Sequence, residues 1–209
     1  MKDKFKQLFM FIGIISLVIS TIGLGKNSAS AENIDEGSFL TDEQIQTMNE
    51  ALEVMIQEAN KKLAQGDEDF VISREVEGLD APVTLEFATD SVMETAKPRA
   101  ARAASSTKKY QAKVGYAGSG FDFGHKLYGQ FTYSGGKLKG ATKNVELSGW
   151  AYEKSHDTPP IDKLDPSVWE VKSTGTFKAL KYLKEYKTYL VVRLLGSGDY
   201  RITKAKVTN

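Results

Sequence analysis

The 209-residue sequence predicts a mainly β protein: an antiparallel β-sandwich or small barrel of about seven strands, preceded by one amphipathic helix and a short hairpin. Three observations carry this expectation. From Phe121 to Tyr133 every second residue is Phe, Phe, His, Leu, Gly, Phe or Tyr, with mostly polar residues between, which is the pattern of a strand with one buried face. Gly-rich turn signals recur through the last hundred residues at the spacing of a sandwich or barrel. A single long stretch, 42–65, instead repeats its apolar residues at intervals of three and four.

Residues 1–31 read as an export signal. Lys2, Lys4 and Lys6 form a positive head, Leu8 to Leu24 is almost continuously apolar, and Ala29-Ser30-Ala31 supplies a small-residue site with cleavage expected after Ala31. The protein is therefore expected to be secreted, with no spanning segment after removal of the signal. The chain has no cysteine, so export is not used for disulfides and packing must supply the stability.

The acidic N-terminal region is assigned to 32–90. Within it Thr41 and Gln44 form a capping box, Asp42 and Glu43 suit the positive end of a helix dipole, and Gly66 is a natural stop for helix 42–65. Its stripe is Ile45, Met48, Leu52, Met55, Ala59 and Leu63, expected to pack on the protein's own sheet. Two short β candidates follow, 70–76 and 83–87, joined by a turn containing Gly78, Asp80 and Pro82; they form a hairpin or join the later sheet.

Residues 91–109, with Pro98, several Ala and the Ser105-Ser106 pair, carry no β alternation and are assigned as a basic linker and domain boundary. Arg99 and Arg102 offer processing sites there. The β domain is assigned to 110–209. Tyr110, Ala112, Val114 and Tyr116 alternate; Ser134-Gly135-Gly136-Lys137 signals a hairpin; Val145, Leu147, Trp150 and Tyr152 alternate with a phase change at Gly149 that suggests a bulge. Stretch 154–166, polar and containing Pro159-Pro160, reads as a loop. Trp169 to Ala179 resumes period two, 189–195 is apolar enough to be buried on both faces, and 200–207 is the last strand.

The formal charge of +1 hides a division. Residues 32–94 hold 17 acidic against three basic side chains, and residues 95–209 hold 21 basic against nine acidic, a net of −14 facing a net of +12. Either the halves attract each other or are solvated separately, or the acidic segment covers the basic domain until something separates them.

Chemistry is sparse. The two histidines are His125, on the apolar face of the central strand and so expected in the core, and His156 in a polar loop. No metal-binding, phosphate-loop or nucleophile motif occurs, Asp157, Asp162 and Asp165 match no known calcium loop, and no cofactor or metal is expected. Binding residues are sought among aromatics and lysines: Trp150, Trp169, Tyr182, Lys184, Tyr186 and Lys187, where Lys and Tyr interleave near Lys172. They suggest an anionic cell-wall polymer or anionic lipid headgroups as partner; nucleic acid suits the charge but not an exported protein.

Tyr110-x-Ala112-x-Val114, Tyr133-Ser134-Gly135-Gly136-Lys137, Ser148-Gly149-Trp150 and Thr176-Phe177-Lys178 together resemble small secreted proteins of Gram-positive bacteria that carry a domain of unknown function. That resemblance implies secretion and a β fold, and no activity. The expected function is a non-catalytic binding module at or outside the cell envelope. The alternatives are a proprotein whose acidic region masks a basic antimicrobial or toxin-like domain, and a secreted hydrolase.

Overall fold

The sequence signals at Thr41 and Gly66 bound helix α1 (Asp42–Ala64) in the computed structural model. Both halves of the capping box are formed between Thr41 and Gln44, and Gly66 leaves the helix at φ +90°. All six residues of the expected stripe are buried. The structure describes residues 39–87, 105–119, 121–151, 153–179 and 184–209, all within one compact unit, Asp35–Asn209. Ala31, Arg99, Arg102, Tyr152 and Tyr182 lie outside the described residues.

Two antiparallel sheets face each other across the core, the β-sandwich that the alternation predicts. The first contains β1 (Phe70–Arg74), β2 (Val83–Phe87), β3 (Ser106–Ala117) and β4 (Asp122–Ser134) in that order, with β5 (Lys137–Ala141) and β6 (Asn144–Ser148) sharing the far edge of β4. The second runs β11 (Tyr200–Thr208), β10 (Lys184–Leu195), β9 (Val168–Ala179), with β7 (Glu153–Asp157) and β8 (Asp162–Asp165) sharing the far edge of β9.

The strand count exceeds the seven expected. The excess has a physical origin: β5 with β6, and β7 with β8, are each one pass of the chain along a long strand, interrupted in the middle. β7 and β8 replace the expected polar loop. Both are exposed along most of their length, so neither carries the buried alternate positions by which a strand is recognised. The bulge expected at Gly149 is instead a change of sheet: β6 ends at Ser148, and the chain crosses to pair β7 with β9. Gly149 takes φ +107°, and a Cβ there would meet the Asp122 carbonyl oxygen at 2.6 Å.

The central strand behaves as its aromatics dictate. Phe121, Phe123, His125, Leu127 and Phe131 point into the sandwich, where Phe123 meets Phe177 of β9 at 5.8 Å between ring centroids and Phe121 meets Tyr186 of β10 at 4.2 Å. Tyr110 of β3 similarly meets Tyr200 of β11 at 6.2 Å. Ser134 and Lys137 close a tight hairpin through Gly135 and Gly136, both at positive φ. The stretch 189–195 departs from expectation: its alternate residues Leu190, Val192 and Leu194 are fully buried, whereas Tyr189, Val191 and Leu195 face outward and are half-buried.

The composition change at 91–109 does not separate two cores. The last residues of that stretch, 106–109, already belong to β3 and pair with β4, β3 also pairs with β2, and α1 packs against β11 and β2. How α1 meets β11 is unusually specific. Asn49 Nδ2 donates to the Val207 carbonyl at 2.8 Å, and the Val207 N–H donates back to Asn49 Oδ1 at 2.8 Å. Asn60 does the same with Ile202, at 2.7 and 3.0 Å. Two side-chain amides thus stand in for the strand that would otherwise pair with this edge.

The spacing explains why both clamps fit. Eleven residues of helix advance ~16 Å and return to nearly the same face, while five residues of strand cover about the same length. An odd spacing in a regular strand would turn Ile202 and Val207 toward opposite edges. A bulge at Thr203 resets the phase: Val191 pairs with Lys204 but Val192 with Ile202. Tyr200, Ile202, Ala205 and Val207 therefore all reach the core from one strand.

Candidate functional site

Alternation in β10 and β11 that sends apolar residues inward sends charge outward. The paired registers place Lys187 and Arg193 of β10 beside Arg201, Lys204 and Lys206 of β11 on the outer face of the second sheet. Lys187 pairs with Glu185 at 3.0 Å, Arg193 donates twice to Glu170, and Lys204 lies over the Tyr189 ring at 5.2 Å. Arg201 and Lys206 are exposed and make no hydrogen bond or ion pair among the described residues. Arg193 and Arg201 are direct cross-strand neighbours of like charge, an arrangement that costs stability.

The first sheet differs. On its outer face Lys113 pairs with Glu86 at 2.9 Å and Lys126 with Glu146 at 3.7 Å, each cation matched by a cross-strand carboxylate. On β5 of the same sheet Lys137 and Lys139 are exposed without an ion pair among the described residues, so what distinguishes β11 is three cations without a carboxylate partner on one strand face.

A groove of ≈ 450 Å³ crosses the outer face of the second sheet, lined by Asp157, Pro159, Lys172, Tyr189, Val191 and Lys204, among others. The apolar residues expected to be buried on both faces of 189–195 supply part of its floor. Lys172 is held between Asp162 at 2.9 Å and Glu170 at 3.6 Å, and these neighbours favour its charged form, raising its pKa.

Beneath the groove lies a chain of hydroxyls and imidazoles. His125 is fully buried; its Nδ1 is 2.8 Å from Thr188 Oγ1 and its Nε2 is 2.9 Å from Ser173 Oγ. Ser173 Oγ continues to Thr158 Oγ1 at 3.3 Å, which meets His156 Nδ1 at 3.1 Å. Burial, with His156 adding to it, pushes the His125 pKa down to about 4, so the ring is neutral. This is the hydrogen-bonded core histidine expected from its place on the strand.

The binding residues sought in the sequence do not converge. Trp169 is 7 % exposed, with Lys163 Nζ 4.6 Å from its ring centroid. Tyr186 is fully buried against Phe121, its hydroxyl 3.5 Å from the Leu40 carbonyl, so its ring is not available to a ligand. Both belong to the inner face because each shares its parity with the buried Val171 or Leu190. Trp150 is 65 % exposed at the crossing between sheets, with its backbone N–H donating to Asp122. Lys184 is exposed at the start of β10, and Lys187 lies on the outer face.

Sequence reasoning placed the basic patch on β10 and missed Arg201, Lys204 and Lys206. The signal was present: between Tyr200 and Val207 every cation alternates with an apolar residue once the extra Thr203 is allowed for. Of the three loop aspartates, Asp162 binds Lys172 and Asp165 accepts from Ser167; among the described residues no group of three or more His, Asp and Glu is placed to hold a metal. Compared with known proteins, the chain matches no family model, no curated protein and no solved structure.

Proposed function

We propose that the chain is an exported, non-catalytic binding module that holds an anionic polymer of the cell envelope on the outer face of β10 and β11. The observation that carries this reading is the row Arg201, Lys204 and Lys206, exposed on one edge strand with no carboxylate partner among the described residues. On the first sheet Lys113 and Lys126 face cross-strand carboxylates, whereas the three β11 cations form no ion pair among the described residues. A run left without carboxylates, beside a like-charged Arg193, supports attraction of a repeating anion.

Between a polymer and a lipid surface, the apolar residues favour the polymer. The large exposed hydrophobics among the described residues are Val54, Val71, Trp150 and Leu164, none of them on β10 or β11, so the basic face offers no such side chain to insert among acyl chains. The N-terminal region serves this reading as part of the fold rather than as a detachable mask. Fully buried Met48, Leu52 and Met55 complete the core, and α1 meets β11 through amide clamps.

The test is co-sedimentation of the protein with purified cell wall, and separately with anionic vesicles, at low and high salt. Wall binding that fades as salt shortens the screening length from ~10 Å at 0.1 M to ~3 Å at 1 M is expected. The triple variant Arg201→Glu, Lys204→Glu, Lys206→Glu should fold, because all three side chains are exposed, and lose binding. Retention of binding by that variant overturns the proposal; binding to vesicles alone transfers it to lipid headgroups.

A further inference from the structure

The groove carries charge of both signs. Asp157, Thr174, Tyr189 and Lys206 form one transverse row across β7, β9, β10 and β11. Three strand spacings separate the ends of that row by ~14 Å. Asp157 of β7 lines one end of the groove and Thr203 and Lys204 of β11 the other, with Thr174 and Tyr189 on the strands between them.

The acidic side of this face is mostly spent within the protein. Asp162 is tied to Lys172, and Glu170 to Lys172 and Arg193. Asp157 is different. It is exposed and makes no hydrogen bond or ion pair among the described residues. A free carboxylate lining the same groove repels an anionic chain laid across it unless that chain brings the carboxylate a cation. Its separation from the β11 cations exceeds the screening length of ~8 Å at physiological salt, so it is able to hold a group of its own.

We infer that the ligand is zwitterionic: an anionic chain bearing primary amines, its anions on Arg201, Lys204 and Lys206 and an ammonium group on Asp157. This rests on the polyanion reading and specifies the ligand class. Thr174 and Thr203 offer hydroxyls to the backbone of such a chain as it crosses the groove.

The experiment compares two poly(glycerol phosphate) preparations of equal length, one plain and one carrying glycyl esters, by titration calorimetry on the full chain. The aminoacylated polymer should bind about threefold tighter, the scale of one exposed ion pair per contact. Asp157→Asn should make the two affinities converge, and Asp157→Glu should restore the preference. Equal binding of the two polymers by the unaltered protein, or a preference that survives Asp157→Asn, overturns the inference alone. Failure of both polymers to bind overturns it together with the polyanion reading.

Discussion

Replacing Asn60 by Ala removes one of the two amide clamps that hold α1 on the edge of β11. Two hydrogen bonds are lost, to the carbonyl and from the N–H of Ile202, at 2.7 and 3.0 Å. Each is worth about 1 kcal/mol net, and Ala returns ~0.5 kcal/mol through better helix propensity. The half-buried backbone groups left behind recover water only in part, so the net loss is about 1.5–2.5 kcal/mol. For a unit of this size that is a fall in Tm of roughly 4–8 °C. Exposed Gln57, three residues earlier on the same helix, is the control, and Gln57→Ala should stay within about 0.5 kcal/mol of the parent. The clamps lie ~16 Å apart, far enough for their effects to add, so Asn49→Ala with Asn60→Ala should cost about 3–5 kcal/mol. Urea unfolding followed by circular dichroism measures all four proteins. An Asn60→Ala loss no larger than that of Gln57→Ala would show that α1 is held by its apolar stripe alone and that the amides do not cap the edge of β11.

Two further outcomes follow from the core. His125 is neutral when folded, with its pKa lowered to about 4 from 6.5, so the unfolded chain binds more protons between those values. Stability should therefore decline as pH falls from about 6.5 toward 4, by up to about 3 kcal/mol, and His125→Gln should flatten that part of the curve in urea titrations while lowering stability at neutral pH. Leu52→Ala should cost about 2–5 kcal/mol if the acidic region belongs to the same core as the sheets; a single unfolding transition shifted as a whole is expected, and an unchanged β-sheet transition would show that the helix unfolds separately.

What the sequence made legible depended on whether a residue's surroundings were local. Helix α1 was readable to within a residue because its cap, its stripe and Gly66 all lie within the helix and its ends. β4 was readable because a period of two sustained over thirteen residues would scatter the same aromatics around a helix. β7 and β8 were not, since strands exposed on both faces owe their existence to the edge of β9, which composition does not reveal. The boundary drawn at 91–109 mistook a change of charge for a change of core; the pairing of Val83 with Tyr116 joins residues far apart in sequence.

The site was legible in part. Basic character and its place in the C-terminal half were visible, but its strand was not. Interleaved Lys and Tyr drew attention to β10, where parity sends Tyr186 into the core and Lys187 out to Glu185. Thr203 concealed the cationic row of β11, because one extra residue breaks the simple alternation on which such a row is recognised. The clamps of Asn49 and Asn60 were equally hidden. Nothing in a helix sequence distinguishes an asparagine that faces water from one that faces an unpaired strand.

The most direct test of the central claim is amide and side-chain chemical-shift mapping by NMR during titration with a short phosphate polymer. The largest shifts should fall on Arg201, Lys204, Lys206 and Tyr189, and they should vanish at high salt. Shifts confined to the first sheet, or centred on Trp150 with β11 unmoved, would contradict a polyanion site on this face.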